Sequence, residues 1–157
     1  CLITKSGRIQ NMQLKTVKKL LSMGLVPVLY GDVVLDSEKG FTILSGDQLV
    51  SWLAITFGAN RIIIGGDVDG VYTADPKTRS SAKLVLRMTL GELKTKKHEI
   101  EKSKATDVTG GMLGKLNELI PAIEKNIQIL MVNATKSLRV YDSLKGKRVI
   151  GTIIENG

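Results

Sequence analysis

Ala105-Thr106-Asp107-Val108-Thr109-Gly110-Gly111-Met112-Leu113-Gly114-Lys115 is a polar, glycine-broken turn that runs into an amphipathic helix. After Met112, apolar residues recur at Leu113, Leu116, Ile120 and Ile123, the spacing of one helical face. A turn entering a helix delivers free backbone N–H groups at a terminus where the macrodipole also favours negative charge. Gly110 and Gly111 carry no Cβ, so an anion can come close to the main chain. Lys115, about one turn in from Gly111, can reach back to a phosphate as a mobile point charge. The same residues also fit a Thr109-capped helix whose glycine pair is a linker and whose lysine is solvated. The rest of the chain has to weigh the two.

The chain has 157 residues, one domain's worth and enough for a real core. It is therefore expected to be a single domain over 1–157. A hydrophobic content of 43% with 24% charged residues argues against disorder. Cys1 is the sole cysteine, which excludes an internal disulfide framework and suits a reducing, cytoplasmic setting. No apolar run approaches the ~20 residues of a membrane span, and no signal peptide is visible, so no membrane partner is expected. The chain opens on Cys1, not Met, directly in strand-like residues. The expectation is the C-terminal part of a longer protein.

The formal charge of +8 could serve nucleic acid. The densest basic run, Lys94 to Lys104, however, interleaves Glu99 and Glu101, as a solvated helix face does. Aromatics make up 4% of residues, so stacking platforms are scarce. Attraction of anionic substrates is the simpler account, with no nucleic-acid partner.

Leu2-Ile3-Thr4 and Arg8-Ile9-Gln10 flank Lys5-Ser6-Gly7 as a hairpin. Met12 to Met23 reads as a helix with Leu14, Val17, Leu20 and Leu21 on one face, stopped by Gly24. Leu25-Val26-Pro27-Val28-Leu29-Tyr30 has the composition of a buried strand, closed by Gly31-Asp32, although Pro27 removes a ladder donor. A second hairpin joins Val33–Asp36 to Phe41–Leu44 through Ser37-Glu38-Lys39-Gly40. Ser45-Gly46-Asp47 opens a helix with Leu49, Val50, Leu53, Ala54 and Phe57 on its apolar face, ended by Gly58. Arg61-Ile62-Ile63-Ile64 is a buried strand that runs into Gly65-Gly66-Asp67-Val68-Asp69-Gly70-Val71-Tyr72 and then Asp75-Pro76. Leu84–Leu90 is a weak strand or connector, and Gly91–Ser103 a charged helix. The Gly110-Gly111 helix runs to about Asn126. A strand at Ile127–Val132, a short helix at Lys136–Leu144 and a strand at Arg148–Ile154 complete the chain.

Strands alternating with helices imply an open, mostly parallel α/β sheet covered on both faces, with the hairpins as antiparallel additions. In such sheets ligands bind beyond the carboxyl ends of the strands. Gly31-Asp32, Gly65–Tyr72 and Val132-Asn133 fall at or near such ends, and Ser45-Gly46-Asp47 adds a further helix N-terminus. Backbone N–H groups, a lysine and an orienting carboxylate suit phosphoryl transfer, which needs positioning and charge neutralisation. Neither a P-loop nor a strand–Gly-x-Gly-x-x-Gly fingerprint is present. His98, the only histidine, has no triad pattern around it, and one Cys with one His does not make a zinc site. The acids of Gly66-Asp67-Val68-Asp69-Gly70 do not continue into an EF-hand spacing and also fit a tight turn capped by Asp side chains.

Ser45-Gly46-Asp47-Gln48-Leu49, Asp67-Val68-Asp69-Gly70-Val71-Tyr72 and Asp107-Val108-Thr109-Gly110-Gly111-Met112 with Lys115, in this order, resemble the amino acid kinase superfamily. Val26 to Asp32 and the following hairpin look like its isopentenyl phosphate kinase subgroup, and the similarity runs from about Leu25 to Ile154. The resemblance implies an αβα sandwich, usually a homodimer, and an ATP-dependent kinase acting on a phosphate or carboxylate oxygen. It implies that Lys115 stabilises charge on the transferring phosphoryl group and that Asp47 orients the catalytic lysines. Gly46 is expected against the acceptor, Asp67 and Tyr72 along the nucleotide site, and Gly110 and Gly111 near its phosphates. Mg²⁺ is expected with ATP, held chiefly through phosphate oxygens, with no protein metal ligand. The subgroup converts isopentenyl phosphate to the diphosphate in an isoprenoid (mevalonate-type) route.

The family's N-terminal Lys–Gly–Gly–Ser-like turn, its second glycine-rich turn and the subgroup's acceptor-binding histidine have no counterpart here. His98 does not occupy that last place. The expectation is a chain truncated at its N-terminus and inactive alone, whose full-length parent is a kinase. Alternatives are the same fold acting on fosfomycin, UMP or an amino acid carboxylate, a non-catalytic nucleotide-binding module, and a basic nucleic-acid module.

Overall fold

The structure is a computed structural model that describes residues 2–103 and 109–157, with side chains described outside 97–103, 109–111 and 113. The turn 104–108 ahead of the glycine pair and the His98 side chain thus lie outside the described residues. Contacts divide the chain into two compact units, Cys1–Leu53 and Ala54–Gly157.

The first unit holds β1 (Leu2–Lys5), β2 (Arg8–Met12), α1 (Lys15–Ser22), β3 (Val33–Asp36), β4 (Gly40–Ile43) and the start of α2 (Gly46–Phe57). Its sheet has the order β2-β1-β3-β4. Both hairpins are antiparallel, and a parallel β1–β3 ladder joins them, Ile3 opposite Leu35 and Thr4 opposite Asp36. The first hairpin turns on Ser6 and Gly7, both at positive φ (51° and 82°), a geometry that matches strand twist. Helix α1 ends where Gly24 takes φ 76°. Gly24 N–H donates to Leu21 and Leu25 N–H to Leu20, a Schellman closure.

Two expectations fail in this unit. Met12 ends β2, and the helix starts three residues later. Leu25–Tyr30 is not a buried strand: the segment is irregular, and Val26 and Val28 are 85% and 88% exposed. An apolar run becomes a strand only where a neighbour completes its ladder, and Pro27 cannot donate to one. Gly31-Asp32 consequently closes no strand. It leads into β3, and Leu44 N–H donates to the Asp32 carbonyl at 2.9 Å.

Asp36 fastens the two hairpins together. The Thr4 hydroxyl donates to its carboxylate at 2.9 Å. The backbone N–H groups of Ser6 (3.1 Å), Gly7 (2.6 Å), Glu38 (3.0 Å) and Lys39 (2.9 Å) donate to it as well. Burial of Asp36 opposes its charge, but the donors from Gly7, Lys39, Glu38 and Thr4 outweigh that and hold its carboxyl well below the usual range. Gln48 adds a strut from α2, donating to the Gly7 carbonyl (3.1 Å) and accepting from Ile9 N–H (3.0 Å).

The second unit holds the end of α2, β5 (Arg61–Gly66), β6 (Arg87–Thr89), α3 (Leu90–Ser103), α4 (Thr109–Glu124), β7 (Gln128–Asn133), α5 (Arg139–Leu144) and β8 (Thr152–Glu155). The sheet order is β5-β7-β8-β6, with β5–β7 and β6–β8 parallel and β7–β8 antiparallel. The α/β class with parallel ladders and hairpins is as expected. Five of the six β7 residues are buried, as in a strand covered on both faces. Helix α4 packs on β7 and against α3, and α5 packs on β5 and β7. The buried stripe of α4 is Leu116, Leu119, Ala122 and Ile123. It includes Leu119, which the expected face omitted, while Ile120 is half-buried. Thr89 and Glu92 cap α3 reciprocally, Thr89 N–H to the Glu92 carboxylate at 2.7 Å and Glu92 N–H to the Thr89 hydroxyl at 3.2 Å. Among the described residues no helix is long and apolar enough to cross a membrane.

The Asp36 network predicts a pH signature. With its folded pKa depressed, the carboxylate contributes stability fully above the ordinary value of about 3.9, and that contribution is lost as pH falls through the folded value. The melting-temperature gap between wild type and Asp36→Asn should be widest from about pH 5 upward and narrow steadily below about pH 4. A gap of constant size across that range would show that the charge of Asp36 is not what matters.

Candidate active site

The candidate site in the second unit is built where β5 ends. The strand places Ile62 and Ile64 on one face, opposite Ile129 and Met131 of β7. Gly65 faces the other way, where a Cβ would lie 3.0 Å from that of Ala134. Ala134 N–H donates to the Gly66 carbonyl at 2.8 Å, and the Asn133 amide donates to the Asp67 carbonyl at 3.4 Å. The Gly65–Tyr72 turn and the Val132-Asn133 turn are thus brought together, as expected.

The chain then crosses Gly70, where a Cβ would sit 2.3 Å from Thr152 Oγ1; no side chain fits there. Val71 N–H donates to the same hydroxyl at 2.8 Å, and a bridge pairs Tyr72 with Leu84. Asp75 and Pro76 form a turn in which Lys77 N–H donates to the Asp75 carboxylate at 2.9 Å.

These segments and α4 enclose a cleft of about 270 Å³. Ile64, Val68, Pro76, Met112 and Met131 give it apolar walls, and Asp67, Tyr72, Lys77 and Lys115 place polar groups on it. Such an arrangement suits a flat, partly apolar ligand bearing negative charge. Among the expected site residues, Asp67, Tyr72 and Lys115 therefore share one cleft. Gly110 and Gly111 lie in the first turn of α4, the helix that carries Met112 and Lys115. The glycines are helical, not part of a preceding loop.

The electrostatics follow from the pairings. Lys77 Nζ donates to the Asp67 carboxylate at 2.5 Å, which holds the Asp67 carboxyl below its usual range and raises Lys77. Burial raises Tyr72, and the charge of Asp69 together with its hydrogen bond to the phenol adds to that. The Tyr72 hydroxyl is therefore a neutral donor. Lys77 went unsuspected in the sequence; the one available signal was its place directly after the Asp75-Pro76 turn.

Gly46 and Asp47 belong to the first unit, in the first turn of α2. The Ser45 hydroxyl caps that helix by accepting Gln48 N–H at 3.1 Å. Gly31 lies against it so closely that a Cβ would fall 2.3 Å from the Leu44 carbonyl oxygen and 2.9 Å from Gly46 N. Gly31-Asp32 and Ser45-Gly46-Asp47 are thus adjacent. Among the described residues no atom outside Gly46's own neighbourhood comes within 4 Å of where its Cβ would be.

Residues 2–133 match the amino acid kinase family. The chain belongs to that family. It is 39% identical over 152 residues to an isopentenyl phosphate kinase of Methanothermobacter thermautotrophicus, covering 95% of this chain and 56% of the relative. An isopentenyl phosphate kinase of Arabidopsis thaliana is 32% identical, covering 83% of this chain and 43% of the relative. A crystal structure of isopentenyl phosphate kinase superposes with a TM-score of 0.79 at 34% identity, over 98% of this chain and 55% of that one. The chain spans about half the length of the curated relatives it matches.

The approach of Gly70 to Thr152 makes the cleft wall sensitive to a single methyl group. Gly70→Ala should cost about 1–3 kcal/mol in urea unfolding, the range for overpacking a tight site. A cost below about 0.5 kcal/mol, the size of a neutral surface change, would mean that the close approach is not a constraint.

Proposed function

We propose that this chain is the nucleotide-binding part of a kinase that transfers the terminal phosphoryl group of ATP to isopentenyl phosphate, giving isopentenyl diphosphate and ADP. The observation that carries the reading is the meeting of Lys115 with the Asp67–Lys77 loop at one apolar cleft, in a chain similar to isopentenyl phosphate kinases along most of its length. The apolar walls would take the base, and Asp67 and Tyr72 would line its site. The amides around Gly110 and Gly111 would face the phosphates. Lys115 would neutralise charge that grows on the phosphoryl group as it moves, a contribution felt mainly in the transition state. Lys77, held by Asp67 until an anion arrives, is a second cation for the phosphates. Gly46 would lie against the acceptor, and Asp47 would orient the catalytic lysines.

Mg²⁺ would enter with ATP. Asp69 is engaged by Arg139, and the ion would be held chiefly through phosphate oxygens. Bound there, it would offset phosphate charge.

The test is ADP release by the full-length protein with isopentenyl phosphate, fosfomycin, UMP or glutamate as acceptor. Release should depend on isopentenyl phosphate and vanish in Asp47→Ala. Lys115→Ala should lower kcat by about 10²–10³-fold, as losing one preorganised charge stabiliser does, with nucleotide affinity changed far less. Release driven by another acceptor would move the substrate within the family. Loss of ATP affinity alone in Lys115→Ala would point to a binding module.

A further inference from the structure

Arg139, the first residue of α5, lies outside the cleft. Its guanidinium donates to the Asp69 carboxylate at 3.2 Å and to the Ile150 carbonyl at 2.9 Å. The ion pair is half-buried, with side-chain exposures of 17% for Arg139 and 30% for Asp69. Asp69 stands between Val68 and Gly70, and both of these line the cleft together with Tyr72. The residue just before α5, Leu138, is held at φ 59° with its side chain largely exposed. Left-handed backbone is unfavourable for leucine, and burial of this side chain does not compensate. The bend nonetheless persists immediately before the arginine.

We propose that Arg139 is a positioning residue for the cleft: it holds Asp69 and, with it, the Val68–Gly70 stretch of the wall, and thereby sets how tightly the cleft takes an adenine nucleotide. This rests on the reading of the cleft as the nucleotide site. Arg139 touches no ligand in this scheme. It acts on one wall, so its effect should fall on nucleotide binding and not on the acceptor or on the chemical step. The alternative is an ion pair that only adds stability, which would affect all parameters together.

The experiment compares full-length wild type, Arg139→Gln and Arg139→Lys. In Arg139→Gln the KM for ATP should rise about tenfold, with kcat within about twofold and the acceptor KM unchanged, the pattern of lost uniform binding. Arg139→Lys, which keeps the charge, should recover part of that loss. In nucleotide-free protein, amide exchange followed by mass spectrometry should quicken in the peptide 67–76 while β5 and β7 keep their protection. Unchanged exchange in that peptide overturns the proposal, as does a parallel fall of kcat with a rise of both KM values. If wild type binds no adenine nucleotide, the nucleotide reading falls and the affinity claim with it, and the exchange comparison still decides whether Arg139 holds the loop.

Discussion

The hydroxyl of Thr152 is the point on which the second unit depends. Thr152 is completely buried in β8. Its Oγ1 accepts Val71 N–H at 2.8 Å and donates to the Val85 carbonyl at 2.6 Å, so one atom closes both strands of a loop onto the sheet. Around it, Val85 N–H donates to the Val71 carbonyl at 2.8 Å, and Thr73 N–H to that of Lys83 at 2.9 Å. A valine would fill the same volume but leave the buried Val71 N–H unmet, at a cost of about 1–3 kcal/mol, and take the donor from the part-buried Val85 carbonyl. The next residue back, Gly151, lies so close to β7 that a Cβ would fall 2.4 Å from the Met131 carbonyl oxygen. Met131 is itself a cleft wall. Two parts of the cleft lining, Met131 and the loop through Gly70, are therefore set by Gly151 and Thr152.

Much of this was legible because it is local. Hairpin turns at Ser6-Gly7 and Ser37–Gly40, helix stops at Gly24 and Gly58, and the isoleucine run of β5 all follow from backbone freedom, side-chain period or apolar composition within a few residues. The Asp67–Tyr72 loop was visible as a cluster of glycines and acids after a strand. The α3 cap was written as Thr89-Leu90-Gly91-Glu92 but passed unnoticed among the lysines that follow.

What was not legible is set by distant partners. Asp36 reads as the end of a strand, yet it collects donors from residues near Thr4 some thirty positions away. Arg139 is 70 positions from Asp69, and no periodicity links them. The Leu25–Tyr30 segment failed for the complementary reason. Its composition is that of a central strand, but composition states what a segment would bury, not whether a neighbour exists to bury it.

The two ion pairs near the cleft differ in a way that assigns them different work. Lys77 and Asp67 are 63% and 66% exposed. Water stabilises each nearly as well as the partner does, so separating them is cheap. An entering phosphate, with several oxygens and more charge than one carboxylate, can draw Lys77 across without a large penalty. Arg139 and Asp69 are less exposed, at 17% and 30%, so water replaces their contact less fully and parting them costs more. On the proposed reading, the less exposed pair would suit a wall and the more exposed pair a cation that can exchange partners. The net charge of +8 works at longer range still, raising the local concentration of anions before either pair is met. Solvent exposure, rather than distance between charges, thus separates the two pairs.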